Sequence, residues 1–101
     1  MFQELDPLLL SQLRLAVMSF LVVTREAEFN TLKEKTQATA GNLSVQISKL
    51  QEAGYVTVEK SFKQNYPLTV CKITPEGIAA FELFFERLQG YVDPEQADKR
   101  S

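Results

Sequence analysis

Thr39, Asn42, Ser44 and Gln46 bring four short hydrogen-bonding side chains together, with Gly41 among them and Lys49 shortly after. Hydroxyls and amides of this kind can exchange hydrogen bonds with base edges or phosphate oxygens, and a lysine adds charge for a phosphate. For Thr39 the helix-cap reading is favoured, since a cap role suffices. Gly41 costs about 1 kcal/mol relative to alanine in a helix interior, so it marks either a close backbone approach to a ligand or simple tolerance near a helix start. A second group, Lys60, Lys63, Asn65 and Tyr66, combines cations with an amide and a phenol able to lie against sugar and phosphate. The plain alternative is an ordinary solvated turn.

Other chemistry is excluded by what the chain lacks. It has no histidine, and Cys71 is its only cysteine. An intramolecular disulfide, a cysteine-histidine zinc site and most histidine-based catalysis are therefore ruled out. Cys71 alternates with Ile73 along a β-rich segment, which suits a small buried hydrophobe; a redox role would need exposure and a depressed pKa. Glu82 and Glu86, one turn apart, read as a solvated helix face rather than an acid/base pair, because no nucleophile or phosphate loop accompanies them. No catalytic residue, metal site or cofactor is expected.

Eleven basic against thirteen acidic residues give a net charge of −2, but the distribution is uneven. Positions 31–72 carry +3 and the remainder −5, so the positive charge coincides with the two polar clusters. The longest apolar stretch, Leu15 to Val23, is interrupted by Ser19 and flanked by Arg14 and Arg25, too short for a membrane span. With acids at Glu4 and Asp6 where a signal peptide needs basic residues, a cytoplasmic protein with no membrane partner is expected.

The elements that must position these residues can be read in order. Asp6 and Pro7 open a helix whose apolar residues from Leu8 to Val23 cover nearly every face, so it should be buried on more than one side. Arg14, within it, could reach DNA but is expected instead to pair with an acid across a dimer. Phe29 to Thr31 reads as a very short strand, and Thr31 with Glu34 as a capping box for a short helix ending near Gln37. Thr39 caps another helix, with Leu43, Ile47 and Leu50 on its buried face and Gly54 at its end. Tyr55 to Lys60 and Leu68 to Thr74 alternate as strands around the polar tip Lys63 to Pro67. Thr74 and Pro75 then start a last helix with the stripe Ile78, Phe81, Phe85 and Leu88, widened by Leu83 and Phe84.

This order, with Gly41-Asn42-Leu43-Ser44, Glu52-Ala53-Gly54-Tyr55-Val56 and Thr74-Pro75-Glu76-Gly77 in sequence, resembles the small winged helix-turn-helix regulators related to the MarR and ArsR groups. The resemblance covers roughly Asp6 to Leu88. It implies an α+β fold, mainly helical with a small hairpin wing, in which the helix from Thr39 is the recognition helix. It further implies that the terminal helices form a dimer, for which Leu9, Leu13, Val17, Phe81, Phe84, Phe85 and Leu88 are the expected interface. The chain departs from the family's pattern at Ile47 and in an arginine-poor wing, and it lacks the ligands of the metal-sensing relatives.

The expectation is one domain over residues 1–92, with a disordered polar tail over 93–101. Its function would be sequence-specific binding of double-stranded DNA as a homodimeric, non-enzymatic transcriptional regulator, acting as a repressor by analogy with the family. A small-molecule effector is compatible with that architecture, although no residue identifies it. The rival reading is a winged-helix protein-interaction module without DNA binding, favoured by the global acidity and the arginine-poor wing.

Overall fold

The computed structural model describes residues 2–93. The expected tail beyond Asp93 lies outside them. A 3-10 turn, Pro7–Leu9, precedes α1 (Gln12–Thr24), β1 (Glu26–Glu28), α2 (Phe29–Thr36), α3 (Ala40–Glu52), β2 (Val56–Lys63), β3 (Tyr66–Ile73) and α4 (Pro75–Val92). The strands form an antiparallel sheet in the order β1-β3-β2.

The long first helix anticipated from Leu8 is divided in two. Asp6 Oδ1 accepts a hydrogen bond from the Leu8 amide at 3.0 Å, and Ser11 Oγ accepts one from the Arg14 amide at 3.3 Å. Each side chain satisfies amides that a helix start leaves free, so Ser11 begins a second helix rather than continuing the first. The short strand falls at Glu26–Glu28 instead of Phe29–Thr31, with Ala27 opposite Cys71. Phe29 already belongs to α2, where Leu32 is buried, and no side chain caps that helix; the expected Thr31–Glu34 capping box is absent because Thr31 lies inside it.

Every helix contributes to one core. Leu9, Val17, Met18, Leu21, Leu32, Leu43, Leu50 and Cys71 are fully buried, joined by Val56, Ile47 and Phe84. Removing one such leucine to alanine costs about 2–5 kcal/mol. This placement takes Leu9, Val17 and Phe84 out of the expected interface, since their apolar surface is spent inside the protomer; Leu13, Phe81 and Leu88 are only partly buried against the same core. Phe85, also expected at the interface, is 57% exposed, and Phe84 is the aromatic that α4 buries.

The N-terminal arm runs along the far half of α4. The Tyr91 hydroxyl donates to the Gln3 carbonyl at 2.7 Å, Arg87 Nη1 donates to the Glu4 carbonyl at 2.9 Å, and the Phe2 and Tyr91 rings lie 5.2 Å apart.

Candidate nucleic-acid interface

Thr39 Oγ1 accepts from the Asn42 amide at 3.2 Å and starts α3, as the sequence suggested. With 3.6 residues per turn, burying Leu43, Ile47 and Leu50 fixes what the opposite face carries. That face is Gly41, Val45 and Ser48, flanked on one side by Ser44 and on the other by Asn42 and Lys49, all exposed. Val45, 52% exposed, and Ser48 were not among the expected contacts. Their spacing from the buried stripe would have found them. A methyl-bearing side chain at such a position can contact the thymine methyl in a major groove. A Cβ on Gly41 would meet no atom within 4 Å, so nothing in the protein requires a glycine there.

Gln46 stands apart from the outward group. It is half-buried, its Oε1 accepts from Arg14 Nη1, and its Nε2 donates to Asn42 Oδ1 at 3.1 Å. Arg14 also donates through Nε to the Leu8 carbonyl at 2.6 Å. Within the protomer Arg14 is thus engaged by an amide and a carbonyl, because α1 lies directly against the flank of α3.

The hairpin is longer and tighter than its polar tip implied. Lys63 pairs with Tyr66, leaving a two-residue turn in which Gln64 and Asn65 have φ of 52° and 68°. Two successive positive φ values make the primed turn that matches strand twist, and asparagine tolerates it well. Since side chains alternate along a strand, the register sorts the wing residues by face. Lys60 and Phe62 share the core-side face with Pro67 and Thr69, whereas Lys63 and Tyr66 share the other with Glu59 and Lys72. The two wing lysines thus straddle the hairpin. Phe62 and Tyr66, 77% and 74% exposed, put aromatic surface at its end. On the far face Lys72 Nζ lies 3.3 Å from Glu59 Oε1. Among the described residues no group of acidic, cysteine or histidine side chains could hold a metal ion, and no helix is long and apolar enough to cross a membrane.

Two titrating groups lie away from this surface. The Tyr55 hydroxyl donates to Asp6 Oδ2; that hydrogen bond, helped by partial burial and the carboxylate charge, pushes its pKa up to about 12. Burial alone raises the Cys71 thiol, as its inward position requires.

The α2–turn–α3 unit followed by a β-hairpin is the arrangement in which a second helix enters a groove and a wing reaches the backbone. A protein of Methanocaldococcus jannaschii, itself uncharacterized, is 39% identical over 80 residues, covering 78% of this chain and 87% of its own. The structure of a transcriptional regulator homologue from Pyrococcus horikoshii superposes with a TM-score of 0.81 at 31% identity, covering 86% of each chain. A MarR-family transcriptional regulator from Silicibacter pomeroyi shares the fold, with a TM-score of 0.66 at 20% identity over 92% of this chain and 66% of that one. A family model described as a winged helix DNA-binding domain matches residues 13–92, and the chain belongs to that family.

Proposed function

We propose that two copies of this chain bind a pseudo-palindromic operator in double-stranded DNA and repress transcription by occupying it, in the cytoplasm and without enzymatic activity. The observation that carries the reading is the outward face of α3. Gly41, Val45 and Ser48 have no task in the core, and they are edged by Asn42, Ser44 and Lys49 on the second helix of the helix-turn-helix. Thr39 acts mainly as the cap, and Gln46 acts through its neighbours. On the wing, Lys60 and Lys63 would reach phosphates on either side of the hairpin, with Asn65 and Tyr66 at the tip.

Dimerisation is supported by apolar surface left over after the core is filled. Phe85 is 57% and Val23 82% exposed, and a shallow groove between α1 and α4 is lined by Val22, Phe81, Glu82, Phe85, Glu86 and Gln89. Half-sites about one helical turn apart, roughly 34–36 Å, would suit such a dimer. A small-molecule effector is the third proposed partner; the groove between the N-terminal arm and α4, with Leu5, Tyr55, Leu83 and Arg87 in its walls, combines apolar and polar surface for one.

The test is selection from a random duplex library at two salt concentrations. A palindromic motif should be enriched, and Lys49→Ala and Lys63→Ala should each reduce the salt slope of log Kd by about one unit. Retention of no duplex even at low salt would favour the protein-interaction module, to which the exposed Phe62 and Tyr66 already lend some support.

A further inference from the structure

We propose that Arg14, acting through Gln46, is the positioning residue that fixes the Asn42 carboxamide with its NH2 outward, so that Asn42 selects acceptor-rich base edges. The proposal rests on the DNA-binding reading above. Its basis is a directional argument. A guanidinium can only donate hydrogen bonds. The Gln46 atom facing Arg14 Nη1 must therefore be the carbonyl oxygen, which turns Gln46 Nε2 toward Asn42. Asn42 must accept that bond at Oδ1, which leaves Nδ2 as the group presented away from the protein. The usual ambiguity between amide oxygen and nitrogen is thus removed twice, by one residue outside the recognition helix. Among the described residues no hydrogen bond uses Asn42 Nδ2.

The anchor is firm because Arg14 is held at two points. Nε donates to the Leu8 carbonyl at 2.6 Å and Nη1 to Gln46. Gln46 and Asn42 are one helical turn apart on α3, where side chains are neighbours. The consequence concerns which base is preferred. Asparagine pairs with adenine through one acceptor and one donor, at N6 and N7. With Oδ1 turned inward to Gln46, that bidentate pairing is disfavoured. A donor alone suits guanine, whose N7 and O6 are adjacent acceptors in the major groove.

Two measurements test this. In proton-nitrogen spectra of the free protein, the side-chain NH2 signals of Gln46 and Asn42 should be dispersed. They should move to random-coil positions in Arg14→Leu, while the α3 backbone amides stay in place; unchanged side-chain signals would overturn the relay. In duplex selection, the wild-type motif should prefer guanine over adenine at one position in each half-site. Arg14→Leu and Gln46→Leu should lower that ratio roughly tenfold at that position only, within the range of a good base contact, and Arg14→Lys, which keeps a donor for Gln46, should retain most of it. Uniform weakening across all positions would assign Asn42 to the phosphate backbone and overturn the proposal. If Arg14→Leu does not fold, Gln46→Leu, which leaves the Leu8 contact intact, carries the same comparison. Should the wild-type protein enrich no duplex at all, the DNA-binding reading falls and the base preference with it, and the amide signals alone then decide the relay.

Discussion

Gly41 separates stability from binding. An alanine there meets nothing within 4 Å and removes the conformational freedom of a helical glycine. Gly41→Ala should therefore raise stability by up to about 1 kcal/mol in urea unfolding. If α3 lies in a groove, the added methyl should at the same time weaken duplex binding. A gain in both would remove the backbone-approach role assigned to this position. Tyr55 makes a different separation, by pH. In the unfolded chain its proton leaves near pH 10, whereas in the fold Asp6 holds it to about 12. The folded state thus binds the extra proton between those values, and its contribution to stability, complete below pH 10, is lost as the pH climbs toward 12. Tyr55→Phe should cost about 1 kcal/mol near neutrality, the worth of a typical hydrogen bond. The difference from wild type should hold to about pH 10 and then shrink as the pH rises through 12, as followed by denaturant unfolding at stepped pH. A difference independent of pH would mean that the Asp6 contact is not what stabilises the hydroxyl.

At the scale of elements, the junction of the wing with α4 is closely tied. Thr74 Oγ1 donates to the Gly54 carbonyl at 2.6 Å and accepts from the Gly77 amide at 3.0 Å, while the Thr74 amide donates to the Tyr55 carbonyl at 3.0 Å. Both ends of the hairpin and the start of α4 are thereby tied to one residue. Gly77 sits so close that a Cβ would overlap the Tyr55 carbonyl oxygen. Gly77→Ala should cost about 1–3 kcal/mol, read as a fall in the denaturation midpoint with unchanged slope. Elements whose cause is local were legible in the sequence. Thr39 and Thr74 cap where expected, Leu43, Ile47 and Leu50 face inward, and Gly54 ends its segment with φ of 81°. Features decided by competition or by distant neighbours were not. Ser11 outbid continuation of the first helix, and the Gln64-Asn65 turn extended both strands past the apparent polar tip. Phe84 rather than Phe85 faces inward because α4 packs on α1, and no spacing within α4 alone decides between adjacent aromatics. In the site, Val45 and Ser48 were derivable from the buried stripe; the Arg14–Gln46 contact, 32 positions apart, was not.

The described residues span 55 × 24 × 21 Å, and α4 alone runs for 18 residues, about 27 Å at 1.5 Å per residue. An extended helix with Phe85 outward suits a second copy better than solvent. Substituting Phe85→Glu places a charge beside Glu82 and Glu86 and should leave the fold intact, because the side chain is outside the core. Light scattering at micromolar concentration should report a dimer for the wild type and a monomer for the variant; two dimers would place the interface elsewhere, and a monomeric wild type would overturn dimerisation. At the centre of the molecule, Cys71 lies on β3 between Ala27 of β1 and Val58 of β2, wholly buried and unique in the chain. Its side chain faces the core side of the sheet, where α1 and α2 pack against β3, so a water-borne thiol reagent cannot reach it until those helices move away. The protein therefore carries its own single-site clock: with reagent concentrated enough to outpace reclosing, the rate at which one sulfur becomes modified counts how often the domain opens, with no engineered labelling site and no second cysteine to confuse the count.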